Sequence, residues 1–236
     1  MELYPAVDIA GGRLARAGSH ATGVDPVATA TAFARAGARW LHVVDLDRAH
    51  GRGDNAGLIR ALLTAPPTSI QLGGGITDED EIAAALAAGA SRVVLGAAGA
   101  TDAALVDRLL ARHGASRIAV AIDARDGRLA PRGQRAGKAA GALVNDVAAR
   151  LVAQGVRTIV YTAAERDGDL SGPDLDGARA IATLGGPSGV SVIVSGGVAS
   201  LDDLRAARRV GLAGAIVGRA LLEGRFTIEE ALACVA

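Results

Sequence analysis

One unit occurs twice in the chain, and it restricts the fold more than any other feature. Residues 70–96 read IQLGGGITDEDEIAAALAAGASRVVLG and residues 192–218 read VIVSGGVASLDDLRAARRVGLAGAIVG, and the two superpose without a gap at an offset of 122 residues. Each copy is an apolar, β-branched run, a glycine turn, an amphipathic segment and a second apolar run ended by glycine. That is the order strand, turn, helix, strand, turn. Asp8 and Asp123, each at the end of an apolar run, lie 115 residues apart. The chain therefore reads as two related halves.

The remaining segments continue the alternation. Further strands are predicted at 4–9, 40–46, 118–122 and 158–161, and helices at 26–37, 56–63, 102–112, 142–155, 174–184 and 228–235. Asp25-Pro26 carries an N-cap followed by proline in the first helical position. Pro66-Pro67 ends the segment before it, since proline cannot continue a helix. Eight strands, each followed by a helix, predict an α/β fold, a (β/α)8 TIM barrel with a two-fold half-barrel repeat, as one domain over 1–236. A doubly wound open sheet is the alternative, with a different strand order and usually fewer units.

Composition narrows the class of ligand. Lysine plus arginine number 25 and aspartate plus glutamate 25, so no global field draws nucleic acid or an anionic membrane. An anion must be held by local geometry. Cys234 is the only cysteine, which excludes an internal disulfide and a multi-cysteine metal site and makes a reducing, cytoplasmic setting the default. The first residues, MELYPAVDIAGG, carry neither a basic nor a long apolar stretch, and no apolar run approaches a membrane span.

The candidate site residues follow from the barrel. Ligands of such barrels sit at the C-terminal ends of the strands, with phosphate held by the loops after the last two. Ser195, Gly196, Gly197, Gly218 and Arg219 occupy that place, and Gly74, Gly75 and Gly96 repeat it in the first half. Glycines leave backbone N–H groups approachable there. Asp8, Asp123 and Asp167 are strand-end or loop carboxylates suited to acid–base work. Arg16 and Arg132 are rim cations placed to bind an anion. Asp45 is read either as a loop-fixing group or as a substrate contact, His42 as a structural strand residue, and His50 as a substrate-loop candidate. The polar stretch 125–141 is the candidate active-site loop.

Taken together, PAVDIAGGR, LHVVDLD, LGGGIT, AIDARDG, RDGDLSGPD, SGGVASLDDL and GAIVGRAL, in this order, resemble the phosphoribosyl isomerases of histidine biosynthesis, the ProFAR isomerase family, across nearly the whole chain. The closing segments are most similar to the actinobacterial branch, some members of which also isomerise phosphoribosylanthranilate in tryptophan synthesis. The resemblance implies an Amadori rearrangement of a bisphosphorylated aminoribose, without cofactor or metal. Asp8 matches the family's base, Asp167 or Asp123 the acid with Asp167 favoured, and Thr162 a threonine that hydrogen-bonds the reacting sugar. Gly168 belongs to the same loop as Asp167. The resemblance further implies a small-molecule substrate, no nucleic-acid or membrane partner, and a monomer.

Three positions depart from the family pattern: Ala97 stands in place of threonine, Ala163 in place of aspartate and Gln134 in place of tryptophan. Two alternatives stay open beside the single isomerase. One is a bifunctional enzyme that also takes phosphoribosylanthranilate, the other a phosphate-ligand-binding barrel with weak catalysis. The sister cyclase of the same pathway has a catalytic lysine where this chain has Arg16, and a guanidinium does no acid–base work near neutral pH.

Overall fold

The computed structural model describes residues 1–15, 25–131, 141–186 and 189–236. In chain order the first half contains β1 (Glu2–Ala10), β2 (Arg13–Leu14), α1 (Pro26–Arg35), β3 (Trp40–Asp45), α2 (Leu46–Ala49), α3 (Ala56–Thr64), β4 (Ser69–Gly73), α4 (Glu79–Ala87), β5 (Arg92–Leu95), α5 (Ala97–Thr101) and α6 (Ala103–His113). The second half contains β6 (Ile118–Arg125), β7 (Arg128–Leu129), α7 (Val144–Ala153), β8 (Thr158–Ala163), α8 (Leu175–Thr183), β9 (Ser191–Ser195), α9 (Leu201–Arg209), β10 (Gly214–Val217), α10 (Arg219–Leu222) and α11 (Ile228–Val235).

The eight long strands pair in parallel in the order β1, β3, β4, β5, β6, β8, β9, β10, and β10 returns to β1 with Glu2 opposite Gly214 and Pro5 opposite Val217. That pairing closes the sheet and rules out the open doubly wound alternative. Strand burial follows from closure. Leu3, Val7, Ile9, Leu41 and Val43 point outward and are fully buried against helices. Tyr4, Ala6, Val94, Ala119, Val160, Ile193 and Ile216 fill the barrel interior. Most of these are small or branched, as layered filling requires. At the N-terminal ends of the strands the plug is wider: the Tyr4 and Trp40 rings lie 5.8 Å apart and the Arg92 guanidinium sits 4.6 Å over Trp40. Among the described residues no helix is long and apolar enough to cross a membrane.

The repeat holds to the residue. At the offset of 122, β4 maps onto β9, α4 onto α9 and β5 onto β10 with identical bounds. Hydrogen bonds repeat as well: Glu81 accepts from the Thr77 amide as Asp203 accepts from Ala199. At the offset of 115, the two-residue strands β2 and β7 coincide, and each forms a hairpin with the strand before it. These hairpins differ from the bare loops expected after the first and fifth strands. Gly11-Gly12 and Asp126-Gly127, all at positive φ, make the turns. The short helices α2, α5 and α10 are also absent from the sequence reading, because four or five residues give no periodicity to detect.

The loop after β1 is tied to the loop after β3. Asp47 accepts from the Gly11 amide at 2.5 Å, and Asn55 accepts from Gly12 at 2.9 Å while donating to Asp45 and Asp47. The Gly11 amide, then Asn55, holds the Asp47 carboxyl below its ordinary range. The folded value is depressed, so this tie is complete above the ordinary carboxylate range and is lost as pH falls through the folded value.

Two predictions arise. Gly197 has φ +82, and a Cβ there would overlap the Gly172 carbonyl, whereas Gly11 has φ +57 with open space around it. Gly197→Ala should lower unfolding free energy by about 2–4 kcal/mol and Gly11→Ala by about 1–2 kcal/mol, as read from urea melts; equal losses would contradict the steric assignment. Secondly, the hydrogen-exchange protection factor of the Gly11 amide should fall on acidification below about pH 4, and Asp47→Ala should abolish it at every pH.

Candidate active site

Each described residue nominated from sequence lies on one cleft of about 1120 Å³ at the C-terminal ends of the strands. This is larger than the roughly 300–1,000 Å³ of ordinary ligand pockets, which suits an elongated ligand. Arg16 and Arg132, with Gln134, fall outside the described residues.

The carboxylates come first. Asp8 and Asp123 stand at matching heights on β1 and β6, which are four strands apart whichever way one counts around the barrel. Their side chains therefore face each other across the cleft. Both are fixed by the hairpins that follow: the Ala15 amide donates to the Asp8 carbonyl at 2.7 Å, and the Ala130 amide to the Asp123 carbonyl at 2.8 Å. Thr162 on β8 is 4 % exposed and sits in register with Asp123 on one side and Ser195 on the other. Those three residues form one level of the cleft wall.

Asp167 reaches the cleft from the loop between β8 and α8. Its loop is held by backbone contacts: the Gly172 amide donates to the Gly197 carbonyl at 2.9 Å, and Arg166 donates to the Gly172 carbonyl at 3.1 Å. Arg219 donates through Nη1 to the Gly168 carbonyl at 2.6 Å and through Nε to Glu223 at 2.7 Å. Arg219 lines the cleft as expected, yet its guanidinium secures the Asp167 loop. This qualifies its reading as a phosphate ligand.

The glycine turns form two opposed cradles. In one, Gly74 and Gly75 follow β4 and Gly96 ends β5; in the other, Gly196 and Gly197 follow β9 and Gly218 ends β10. Gly96 and Gly218 are N-caps of α5 and α10, and neither helix start receives a side-chain cap. Helix-start N–H groups have no partner within the helix, so those amides are able to meet an anion. Around Gly96 a Cβ would enter open space, so a ligand atom can approach its backbone directly. Gly75 differs, for a Cβ there would collide with the Arg48 carbonyl. It serves chain packing as well as lining the cleft.

Other residues near the strand ends take one of the roles that their sequence readings left open. Asp45 is 4 % exposed and its oxygens accept from the Arg48 and Asn55 amides and the Asn55 side chain. It fixes the loop. His50 lines the cleft, with Nδ1 2.7 Å from the Leu46 carbonyl. Ala163 is 2 % exposed and lies away from the cleft, so that departure from the family pattern alters no cleft surface. Ala97 does line it.

His42 is the residue that the sequence reading missed. It lines the cleft from β3, its Nδ1 lies 3.0 Å from Gln71 Nε2, and burial holds its imidazole down at about 4 against the opposing pull of Asp167's charge. It is therefore neutral at neutral pH. Its inward direction, level with Ala6, is fixed by the pairing of β3 with β1, which the strand's own residues do not disclose. Among the described residues no group of three or more His, Cys, Asp or Glu is arranged to hold a metal ion.

Comparison with known proteins agrees with this geometry. Residues 2–227, which include all eight barrel strands, match the family model described as histidine biosynthesis protein. The chain is 43% identical to a ProFAR isomerase of Moorella thermoacetica, over 100% of this chain and 99% of that one. Similar relatives of the same name occur in Parafrankia, 43% identical over 100% and 96% of the two chains, and in Acidothermus cellulolyticus, 41% identical over 98% and 97%. With its closed barrel and these full-length matches, the chain belongs to the histidine biosynthesis protein family.

Proposed function

We propose that this protein is an aldose–ketose isomerase that converts ProFAR to its ketose by an Amadori rearrangement. The observation that carries the reading is the meeting of Asp8, Asp123 and Asp167 with two opposed glycine cradles on one cleft. The names of the relatives support the choice of substrate. A substrate with phosphate at both ends spans such a cleft, and its reacting ribose then falls between the carboxylates. Asp167, in its protonated form, gives a proton to the ring oxygen as the C1–O bond breaks, and the nitrogen lone pair forms the C=N bond of a Schiff base. Asp8 takes the proton from C2, and the electrons of that C–H bond form the C1=C2 bond of an enaminol. The enaminol loses its hydroxyl proton and gains one at C1, giving the ketose. Thr162 is assigned to hold the sugar hydroxyls, and Asp123 to partner Asp8 or to serve as the alternative acid.

Both carboxylate walls and both cradles come from one chain, which supports action as a monomer. A cytoplasmic setting belongs to this reading, supported by the match to a biosynthetic enzyme family. Nothing about the described cleft favours phosphoribosylanthranilate as a second substrate.

Turnover of ProFAR by purified protein tests the reading, and Asp8→Asn should lower kcat by about 10²–10⁴ with an unchanged melting temperature. A parent protein without turnover, or an Asp8→Asn variant as active as the parent, would refute it. Gly96→Ala adds a methyl group where the cleft is open, so it should raise KM about 10-fold or more, a loss of about 1.4 kcal/mol of binding, and because its φ of −82 and ψ of −127 lie outside the regions alanine favours, urea stability should fall by about 1–2 kcal/mol as well.

A further inference from the structure

Three residues in register on adjacent strands connect the base of the barrel to the cleft: Arg92 on β5 pairs with Gln71 on β4, which pairs with His42 on β3. Arginine is a donor only. Its Nη1 donates to Gln71 Oε1 at 3.3 Å, while its Nε donates to the Ser116 carbonyl at 3.2 Å and its Cζ sits over the Trp40 ring. The arginine is thus held from below, and it settles which way the Gln71 amide points. With the amide oxygen turned to Arg92, the NH₂ group faces His42 Nδ1 at 3.0 Å. Gln71 is 0 % exposed, so no bulk water competes for these groups. An amide nitrogen only donates, and Nδ1 must therefore accept. The ring proton then resides on Nε2, the nitrogen left to the cleft that His42 lines.

We propose that Gln71 and Arg92 are positioning residues that lock His42 as the neutral Nε2–H tautomer, so that the cleft wall offers one fixed hydrogen-bond donor to an oxygen of the reacting sugar beside Asp167. The proposal rests on the isomerase reading given above. Its chemical sense lies in the acid. Asp167 has to carry a proton to the ring oxygen, and an imidazolium close to it would favour the ionised carboxylate. A neutral donor stabilises negative charge developing on a sugar oxygen without that penalty. A second proton on Nδ1 would set N–H against N–H in a water-free place, which agrees with the low proton affinity that burial gives the ring.

The test begins with ¹⁵N-histidine NMR on the unliganded parent protein near neutral pH. His42 should show a pyridine-type signal at Nδ1 and a pyrrole-type signal at Nε2. Gln71→Glu replaces the amide by a group that only accepts, so His42 should become Nδ1–H or doubly protonated. In that variant kcat should fall about 10–100-fold with KM changed less than about threefold. Arg92→Met leaves Gln71 free to turn over and should give a mixture of both tautomers, which provides a second reading if the glutamate variant does not fold. A parent protein with its proton on Nδ1, or a folded Gln71→Glu with an inverted tautomer and parental kcat, would overturn the proposal. A parent protein inactive on ProFAR would remove the isomerase reading and the catalytic half with it, whereas the tautomer measurement judges the relay independently.

Discussion

Closure of the parallel sheet through β1 and β10 is the constraint from which the rest of the structure follows. An open sheet leaves two rows of unpaired backbone groups, whereas a closed one satisfies every strand twice and needs no device to protect an edge. Closure also turns sequence distance into spatial opposition. Residues half a barrel apart along the chain become the two walls of one cleft, and the eight C-terminal strand ends become its rim. Above the Tyr4–Trp40–Arg92 plug the interior is filled mostly by small and branched side chains, with Gln71 and His42 the polar exceptions. The polar residues at the strand ends above that level line the cleft and not the core.

The half-barrel repeat is conserved in backbone and relaxed in side chains. Helix and strand bounds coincide between the copies, and so do the amide bonds that Glu81 and Asp203 accept. The side chains at the rim diverge in a consistent direction. Asp45 at the end of β3 ties its loop through carboxylate hydrogen bonds, while its counterpart Ala163 at the end of β8 cannot, and the Asp167 loop is held instead by Arg166 and Arg219. One half has a loop anchored from within its own strand. The other has a loop anchored partly by the start of α10, so the cradle at Gly218 and the carboxyl of Asp167 share a support.

Much of this was legible in the residues. The barrel could be read because apolar runs ended by glycine recur at a fixed offset, and the carboxylates and cradles could be read because strand-end position determines what faces the ligand. His42 was not legible as a site residue, since a histidine inside an apolar strand has the same local pattern whether it faces helix or cleft. Its hydrogen-bond partner Gln71 lies 29 residues away, and the register that brings the two together is created only by folding. The hairpins at β2 and β7 and the short helices α2, α5 and α10 escaped for a related reason. Two to five residues carry no period, and their conformations are set by what they touch. Arg219 was placed correctly on the rim, yet its partner Gly168 lies 51 residues away in sequence and could not be named beforehand.

The hairpins after β1 and β6 have a further effect on how the barrel changes over time. Each returns an amide to the carbonyl of its strand-end aspartate within seven residues, at Ala15 and Ala130. The backbone of Asp8 and Asp123 is thus clamped ahead of any insertion or deletion further along the chain. The clamp sets the backbone beneath each carboxylate from within its own hairpin. A change of sequence beyond either hairpin therefore leaves the backbone that carries Asp8 or Asp123 bonded as before, and the spacing of the two carboxylates becomes a property of the barrel alone.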